Sequence, residues 1–560
     1  MSLGRGLLVF GALALLLCPS LAEAQDDGTK TPFYEADRES KADKKKTGFS
    51  GSITSSSFFF SESGANDGGN GEIVPLENAS PTDRVFTDLR LQLAADHIGG
   101  GNLDFKFDFR GRSQIERCKG RLRSDLLPPE TCEAAQSGTF GGQELHLREA
   151  HLTYRARDYD MSLGRQVVPE VASLRFDGVR VEQHKGQTWK YMGFAGLFPR
   201  RGSRDLRTDY SKIPSNIMDP ASAPKRLLPV VAGASGSYRR ERIYGSVGVA
   251  GILPRGDEFA TGLAERNRIF VTSNGYWQQS DKTDIYHFIV FDVAGNRDAA
   301  ITNISVGASH RPTTATRLFA RINRVDTETL NVNAQQRLDI LDPMASASVQ
   351  NNWYVARVAQ ESGELGGTAS FKQNRFALSA SGTLRRRPEI TLVQTDETLL
   401  LLPLAQALDI QLQLVDRKSY KGFRVGASVT RSSGFGAGSD KQKNLDRSKS
   451  TLGSVELSRD LADGKGEFEV NLSYLKSADQ TPQLNCAPGQ VDFLQCFGTS
   501  DSTTLGAGGV VFYRPKRNWF AMGMANVARQ KLITADAVAE QIGQPPVLML
   551  TAFVRLGYRF

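Results

Sequence analysis

Apolar and polar residues alternate along most of this chain. In Leu103-Asp104-Phe105-Lys106-Phe107-Asp108-Phe109-Arg110, every odd position is apolar and every even one charged. Successive side chains of a strand point to opposite faces, so this segment predicts a β-strand with one oily and one charged side. The segment from Val85 to Asp96 repeats the pattern, with Leu89, Leu91 and Leu93 between Asp88, Arg90 and Gln92. Gly99-Gly100-Gly101-Asn102 turns the chain between the two. The unit recurs at Ala150, Leu152 and Tyr154, at Phe376, Leu378 and Ala380, at Phe423, Val425, Ala427 and Val429, and at Phe468, Val470, Leu472 and Tyr474.

Short turns separate some of these strands, at 97–102, 157–160, 184–187, 240–242, 312–315, 373–374, 418–421, 460–465 and 515–518. Long polar stretches separate the others, at 61–82, 113–142, 198–226, 327–352, 388–408, 433–450, 477–501 and 530–546. Short connections at one end and long ones at the other are the asymmetry of a transmembrane barrel, with short periplasmic turns and long extracellular loops. Soluble sandwiches and propellers also alternate, but no blade-length repeat is visible here. An oily outer face beside a charge-dense inner one is the inversion that lipid outside and water inside demand. The expected fold is all-β, a single antiparallel transmembrane barrel of about 18 strands, with 16–22 open. The stretch 254–310 parses in more than one way, and Asp177–Glu182 need not span fully. Any such count leaves an aqueous lumen.

Composition then changes meaning. The 560 residues carry 69 Lys+Arg against 61 Asp+Glu, a net charge of +8, and a mean hydropathy of −0.33. A soluble chain of that length would divide into several domains. Sorted by parity, the same residues describe one. The longest apolar run, Leu7–Cys18, is too short to span as a helix. With Arg5 before it and Ala22-Glu23-Ala24 ahead of Gln25, it reads as a signal peptide over 1–24. Leu17 stands before Cys18 where a lipoprotein site wants a small residue. A lysine-rich leader is expected over 25–47 and the barrel over 48–560. The other four cysteines pair by proximity as Cys118–Cys132 and Cys486–Cys496, read as two disulfides in an exported chain. Asn66-Asp67-Gly68-Gly69-Asn70-Gly71 lacks full calcium-ligand spacing and reads as a turn.

Parity places Asp104, Lys106, Asp108, Arg110 and Arg112 on one wall of the lumen and His151 and Arg155 on another. Arg200, Arg201, Arg204 and Arg207 form a candidate constriction loop whose guanidiniums would favour carboxylate or phosphate solutes. Arg385, Arg386 and Arg387 end a strand on the long-loop side, where they could meet lipopolysaccharide phosphates. Leu399–Leu404 is an apolar run inside an expected outer loop. A rim hydrolase would need a histidine paired with a serine or carboxylate. None of the six histidines sits in a nucleophile motif, and the spacing of His146 and His151 places them on opposite faces. A plugged receptor or an assembly factor would need a domain ahead of the first strand, where the leader stands. The terminal strand ends on Tyr558 and Phe560, which resemble the signal by which outer-membrane barrels are recognised for insertion.

One stretch resembles a known family. Arg148-Glu149-Ala150-His151-Leu152, Leu163-Gly164-Arg165-Gln166 and Asp177-Gly178-Val179-Arg180 resemble the R-E-A, G-R-Q and D-G run of porin-like barrels related to the alginate-export and substrate-specific porin families. The resemblance covers residues 148–182. It implies diffusion through a pore without chemical conversion, hence no enzyme, cofactor or metal. The expected setting is a Gram-negative outer membrane, reached by signal-peptide export. Expected partners are membrane lipid and lipopolysaccharide, the insertion machinery through the last strand, and small hydrophilic or anionic solutes. No nucleic acid is expected, and the oligomeric state stays open. The expected function is a porin with some anion preference. An exporter of an anionic polysaccharide and a structural or adhesive barrel are the alternatives.

Overall fold

Strands form wherever the two-residue period runs. The structure is a computed structural model describing residues 47–63, 84–114, 144–199, 206, 210, 212–213, 225–226, 228–253, 268–294, 299–333, 353–387, 390–393, 399–402, 405–418, 422–435, 449–461, 464–482, 497–535, 541–543 and 546–560. The expected signal peptide, the expected leader as far as residue 46, Asn66–Gly71, all five cysteines and Arg200, Arg201, Arg204 and Arg207 lie outside the described residues.

The first seven barrel strands are β1 (Gly48–Ser63), β2 (Arg84–Asp96), β3 (Leu103–Gln114), β4 (Glu144–Arg155), β5 (Tyr159–Val168), β6 (Leu174–Lys185) and β7 (Trp189–Leu197). Next come β8 (Val230–Arg240), β9 (Ile243–Leu253), β10 (Arg268–Ser280), β11 (Thr283–Ala294), β12 (Ala300–Thr313), β13 (Thr316–Asn333), β14 (Trp353–Phe371) and β15 (Phe376–Arg387). The wall ends with β16 (Ala405–Asp416), β17 (Phe423–Phe435), β18 (Lys449–Leu461), β19 (Gly466–Pro482), β20 (Phe497–Lys516), β21 (Trp519–Ala535) and β22 (Val547–Arg559). Each pairs antiparallel with its sequence neighbours, and β22 returns to pair with β1 from Ser52↔Arg559 to Ser63↔Leu548. The sheet is therefore closed. Minor pairs sit in the long connections: Lys212–Ile213 with Lys225–Arg226, Ile390–Val393 with Leu399–Leu402, and Gln541–Gly543 on the end of β21.

The described residues thus give 22 barrel strands, not about 18. Two local features account for the difference. Asp281-Lys282 joins β10 to β11 with no glycine or proline to announce it, the Ser280 hydroxyl accepting from the Lys282 amide at 3.2 Å. The doubtful segment Asp177–Glu182 lies inside β6, which pairs on both sides.

The oily face looks outward. Leu89, Leu152, Leu163, Val247, Ile322, Leu365, Leu412, Leu472, Leu505 and Val554 all leave large apolar surface uncovered. Such a belt around a closed sheet is compatible with lipid and not with water. Aromatic residues crowd this outer face beside the short turns. Tyr154 meets Tyr159 across one turn at 6.4 Å between ring centroids, Trp189 meets Tyr238 at 4.8 Å, and Phe371 meets Phe376 at 5.4 Å. Phe423 meets Phe468 at 6.0 Å and Trp519 meets Tyr558 at 4.7 Å. Phe560 joins this girdle against Phe49 at 5.5 Å, with its backbone bonded to Gly51. Amphipathic rings collect at the headgroup level, so the short-turn end marks one membrane interface.

Candidate functional site

The lumen is where a barrel of this size can act, because side chains alone do not fill it. Strands β2 to β7 turn a charged face inward. Arg90 grips Asp108 through two bonds of 2.9 and 2.6 Å, while Arg110 and Arg112 both reach Asp88, at 2.7 and 2.8 Å. Lys106 pairs with Glu149 at 2.8 Å, Arg155 with Asp104, and Arg148 lies 3.7 Å from Asp108. The sequence-predicted residues Asp104, Lys106, Asp108, Arg110, Arg112 and Arg155 therefore all enter cation–carboxylate contacts on these strands. Such pairs in a wet channel place both signs of charge side by side.

His151 belongs to this wall, its Nδ1 donating to the Arg165 carbonyl at 3.3 Å. His146 belongs to it as well. The register slips between Asp108↔Glu149 and Phe109↔Leu147, so Arg148 is the extra residue of a bulge. The bulge resets the parity, and the two histidines share the inner face instead of opposing each other.

Alternation alone does not reveal the main feature of the lumen. Pairing of β4 with β5 stops at Ala150↔Arg165, and pairing of β6 with β7 starts at Asp177↔Leu197. Between those points β5 and β6 continue to pair only with each other, up to Val168↔Leu174. This hairpin leaves the wall and folds inward. Its root is Gly164 at φ 125°, where an added Cβ would fall 2.3 Å from the Ala150 carbonyl oxygen. Only glycine takes that backbone without strain. Arg165 clamps the root, giving two 2.6 Å bonds to Asp177 and one of 3.1 Å to the Leu147 carbonyl. Gln166, fully buried, donates to the Gly178 carbonyl at 3.1 Å. Arg175 donates to His146 Nε2 at 2.6 Å. Most of the residues that carried the family resemblance are thus the root of this hairpin.

The hairpin's other side seats on the inner faces of β7 to β11. Val168, Val171 and Phe176 have no exposed surface and pack with Phe194, Val231, Ile252, Phe270 and Val290. Space for the tip comes from Gly248, whose missing Cβ would lie 2.8 Å from Val171 Cγ2. The Thr272 hydroxyl donates to the Glu170 carbonyl at 2.8 Å, and Lys190 bonds the Glu170 carboxylate. Burial pushes the Glu170 carboxyl upward, yet the charge and hydrogen bond of Lys190 prevail and hold it below its ordinary value. Losing Phe176 would cost about 3–5 kcal/mol of packing, against about 1 kcal/mol for a partly wet ion pair. Apolar contact holds the hairpin in place, and the ion pair orients it.

Leu206 and Tyr210 attach to the same region: the Leu206 amide donates to the Leu145 carbonyl at 2.7 Å and the Tyr210 hydroxyl to Asp177 at 2.6 Å. Arg385 has lumen parity and reaches Asp409 and Ser432, at 2.5 and 3.3 Å. Arg387 shares that parity. Arg386 alone of the triplet faces outward, 3.7 Å from Glu361. A serine–histidine bond does occur, between Ser273 Oγ and His287 Nε2 at 2.9 Å. It lies on the outward face at mid-height of β10 and β11. Asp160, Glu182 and His184 cluster on the inner face closely enough to hold a cation. Arg180 and Lys190 already lie 3.3 and 3.8 Å from Glu182 there, which opposes a cation by repulsion.

A closed antiparallel wall, an apolar belt with an aromatic girdle and a charged lumen define an outer-membrane β-barrel of porin-like form. No known family model matches the chain, and no curated protein matches it either. Solved structures similar to it include the Acinetobacter baumannii OccAB4, at 10% identity and a TM-score of 0.37, covering 92% of this chain and 100% of that one. Pseudomonas aeruginosa OccK9 (OpdG) is similar at 11% identity and a TM-score of 0.36, covering 91% and 98%. The ferric enterobactin receptor PfeA is similar at 11% identity and a TM-score of 0.45, covering 91% of this chain and 81% of its own.

Proposed function

We propose that the protein is a porin, a passive channel for small hydrophilic solutes in the outer membrane, narrowed by the β5–β6 hairpin. The observation that carries this reading is the pairing of a closed 22-strand wall with a lumen face built of charges, hydroxyls and amides. On the side formed by β14 to β18, lumen positions include Ser379, Ser381, Thr383, Gln411, Gln413, Ser428, Thr430 and Ser454. Water wets such a wall and small polar solutes cross it without a tight site. The short turns would face the periplasm and the long loops the outside, with Tyr558 and Phe560 offered to the insertion machinery. Lipopolysaccharide contact narrows to Arg386. An anion preference rests on Arg200, Arg201, Arg204 and Arg207, since the cations of the described ladder already lie against carboxylates. Planar-bilayer recording tests the reading. Stepwise conductance is expected from the purified protein, larger when residues 166–176 are replaced by a short glycine-serine turn. Absence of steps from both proteins would sink it. A K⁺/Cl⁻ permeability ratio unmoved by replacing the four arginines would remove the anion preference alone.

A further inference from the structure

One part of the lumen wall departs from polar lining without being covered by the hairpin. On β20 to β22 the inward positions include Val510 and Phe512, Met522 and Met524, and Phe553. They are cross-strand neighbours: Phe512 stands opposite Met522, Val510 opposite Met524, and Met524 opposite Phe553. Phe58 continues the row from β1. Phe512 is 41% exposed, and the other four of that set are half-buried. Lipid does not require this patch, because it faces the lumen, and exposing it to water is unfavourable.

Charge beside the patch says what would cover it. On its β19 side, Glu469 stands opposite Val510 and Glu467 opposite Phe512. Among the described side chains, the lumen positions of β17 to β19 hold Glu456, Asp460, Glu467 and Glu469 against a single cation, Arg424. Arg424 bonds Asp460 at 3.2 Å and also Glu467. On the opposite side, Arg555 is already turned over the Phe553 ring at 5.2 Å and donates to Ser56 at 3.1 Å. Aromatic rings attract a cation face-on, and methionine sulfur packs well against an apolar body.

We infer that this patch is a way-station for organic cations, solutes with an apolar or aromatic body and a protonated or quaternary amine, which rest on Phe512, Met522 and Met524 with the charge toward Glu469. The inference rests on the porin reading and adds a substrate class to it. Recordings of ion current with added blockers separate the two. Phenethylammonium is expected to block at a concentration about tenfold below that of phenylacetate, which has the same body and opposite charge, or of tetramethylammonium, which lacks the body. Phe512→Ala and Glu469→Gln should each raise the half-blocking concentration several-fold with the open-channel steps intact, while Phe512→Tyr keeps the ring and the block. Equal block by cation and anion, or block unaltered in Phe512→Ala and Glu469→Gln, would overturn the inference and leave the porin standing. If Phe512→Ala enlarges the steps with no blocker present, a segment of the chain itself covers the patch, and that too would overturn it. Absence of any conductance would instead strike the porin reading.

Discussion

The lumen face of β7 to β11 and that of β14 to β18 have the same position in the barrel and opposite chemistry. The first carries Phe194, Val231, Ile252, Phe270 and Val290, all buried. The second carries serines, threonines and glutamines that look into the channel. The difference is the hairpin. Where the β5–β6 excursion lies against the wall, inward positions become a small protein core. On the side of β14 to β18, which the hairpin does not reach, many of them are polar. A lumen position is therefore not polar by virtue of parity alone.

The comparison breaks most completely if the hairpin is unseated. Phe176→Asp puts a charge among fully buried apolar groups, which it cannot accept unpaired. The hairpin is expected to leave its seat, and conductance should rise toward that of the protein lacking 166–176. Unchanged steps in Phe176→Asp would show that the hairpin does not narrow the pore. Ser381→Asp on the far wall, by contrast, should leave step size close to that of the parent protein. Gly164→Val acts next most strongly. A β-branched residue at φ 125°, with its Cβ 2.3 Å from a carbonyl oxygen, would cost on the order of 1–3 kcal/mol in backbone strain. Trypsin access to Arg165 and Arg175 should increase, and protection equal to that of the parent would count against the root as a fixed bend.

The smallest effect concerns Glu170. Its carboxyl titrates below the ordinary value of 4.5, so its contact with Lys190 is at full strength above that value. The contribution is lost as pH falls through the lower, folded-state value. Acidification below the ordinary carboxylate range is therefore expected to add flicker to the channel at a cost of about 1 kcal/mol or less. Glu170→Gln should flicker at neutral pH and respond less to acid. Identical pH profiles for the two proteins would assign the flicker to another group.

Much of the wall was legible in the residue pattern, because alternation is a local property and a strand's two faces follow from it directly. The register puts Asp104, Lys106, Asp108, Arg110 and Arg112 on one face of β3 and His151 with Arg155 on one face of β4. Parity failed where the backbone inserted a residue, at the Arg148 bulge, and so misplaced His146. The turn at Asp281-Lys282 escaped because it holds neither glycine nor proline, the strongest local markers of a turn. A signal for the hairpin was present. From Val167 to Phe176, apolar residues occupy both parities, at Val167, Val168, Val171, Leu174 and Phe176. Such a run means burial on both sides, which a strand in a barrel wall facing water does not have.

The sequence by itself determined that this chain makes strands, which side of each is oily, and that the sheet must close to survive in lipid. Those results follow from the two-residue period and from the cost of unpaired backbone in hydrocarbon. Only the tertiary structure decided that the wall has 22 strands, that a hairpin departs from it at Gly164, and that Phe512, Met522 and Met524 form a patch beside Glu469. These depend on contacts between residues far apart in the chain, such as Glu170 with Thr272, whose energies no local pattern records.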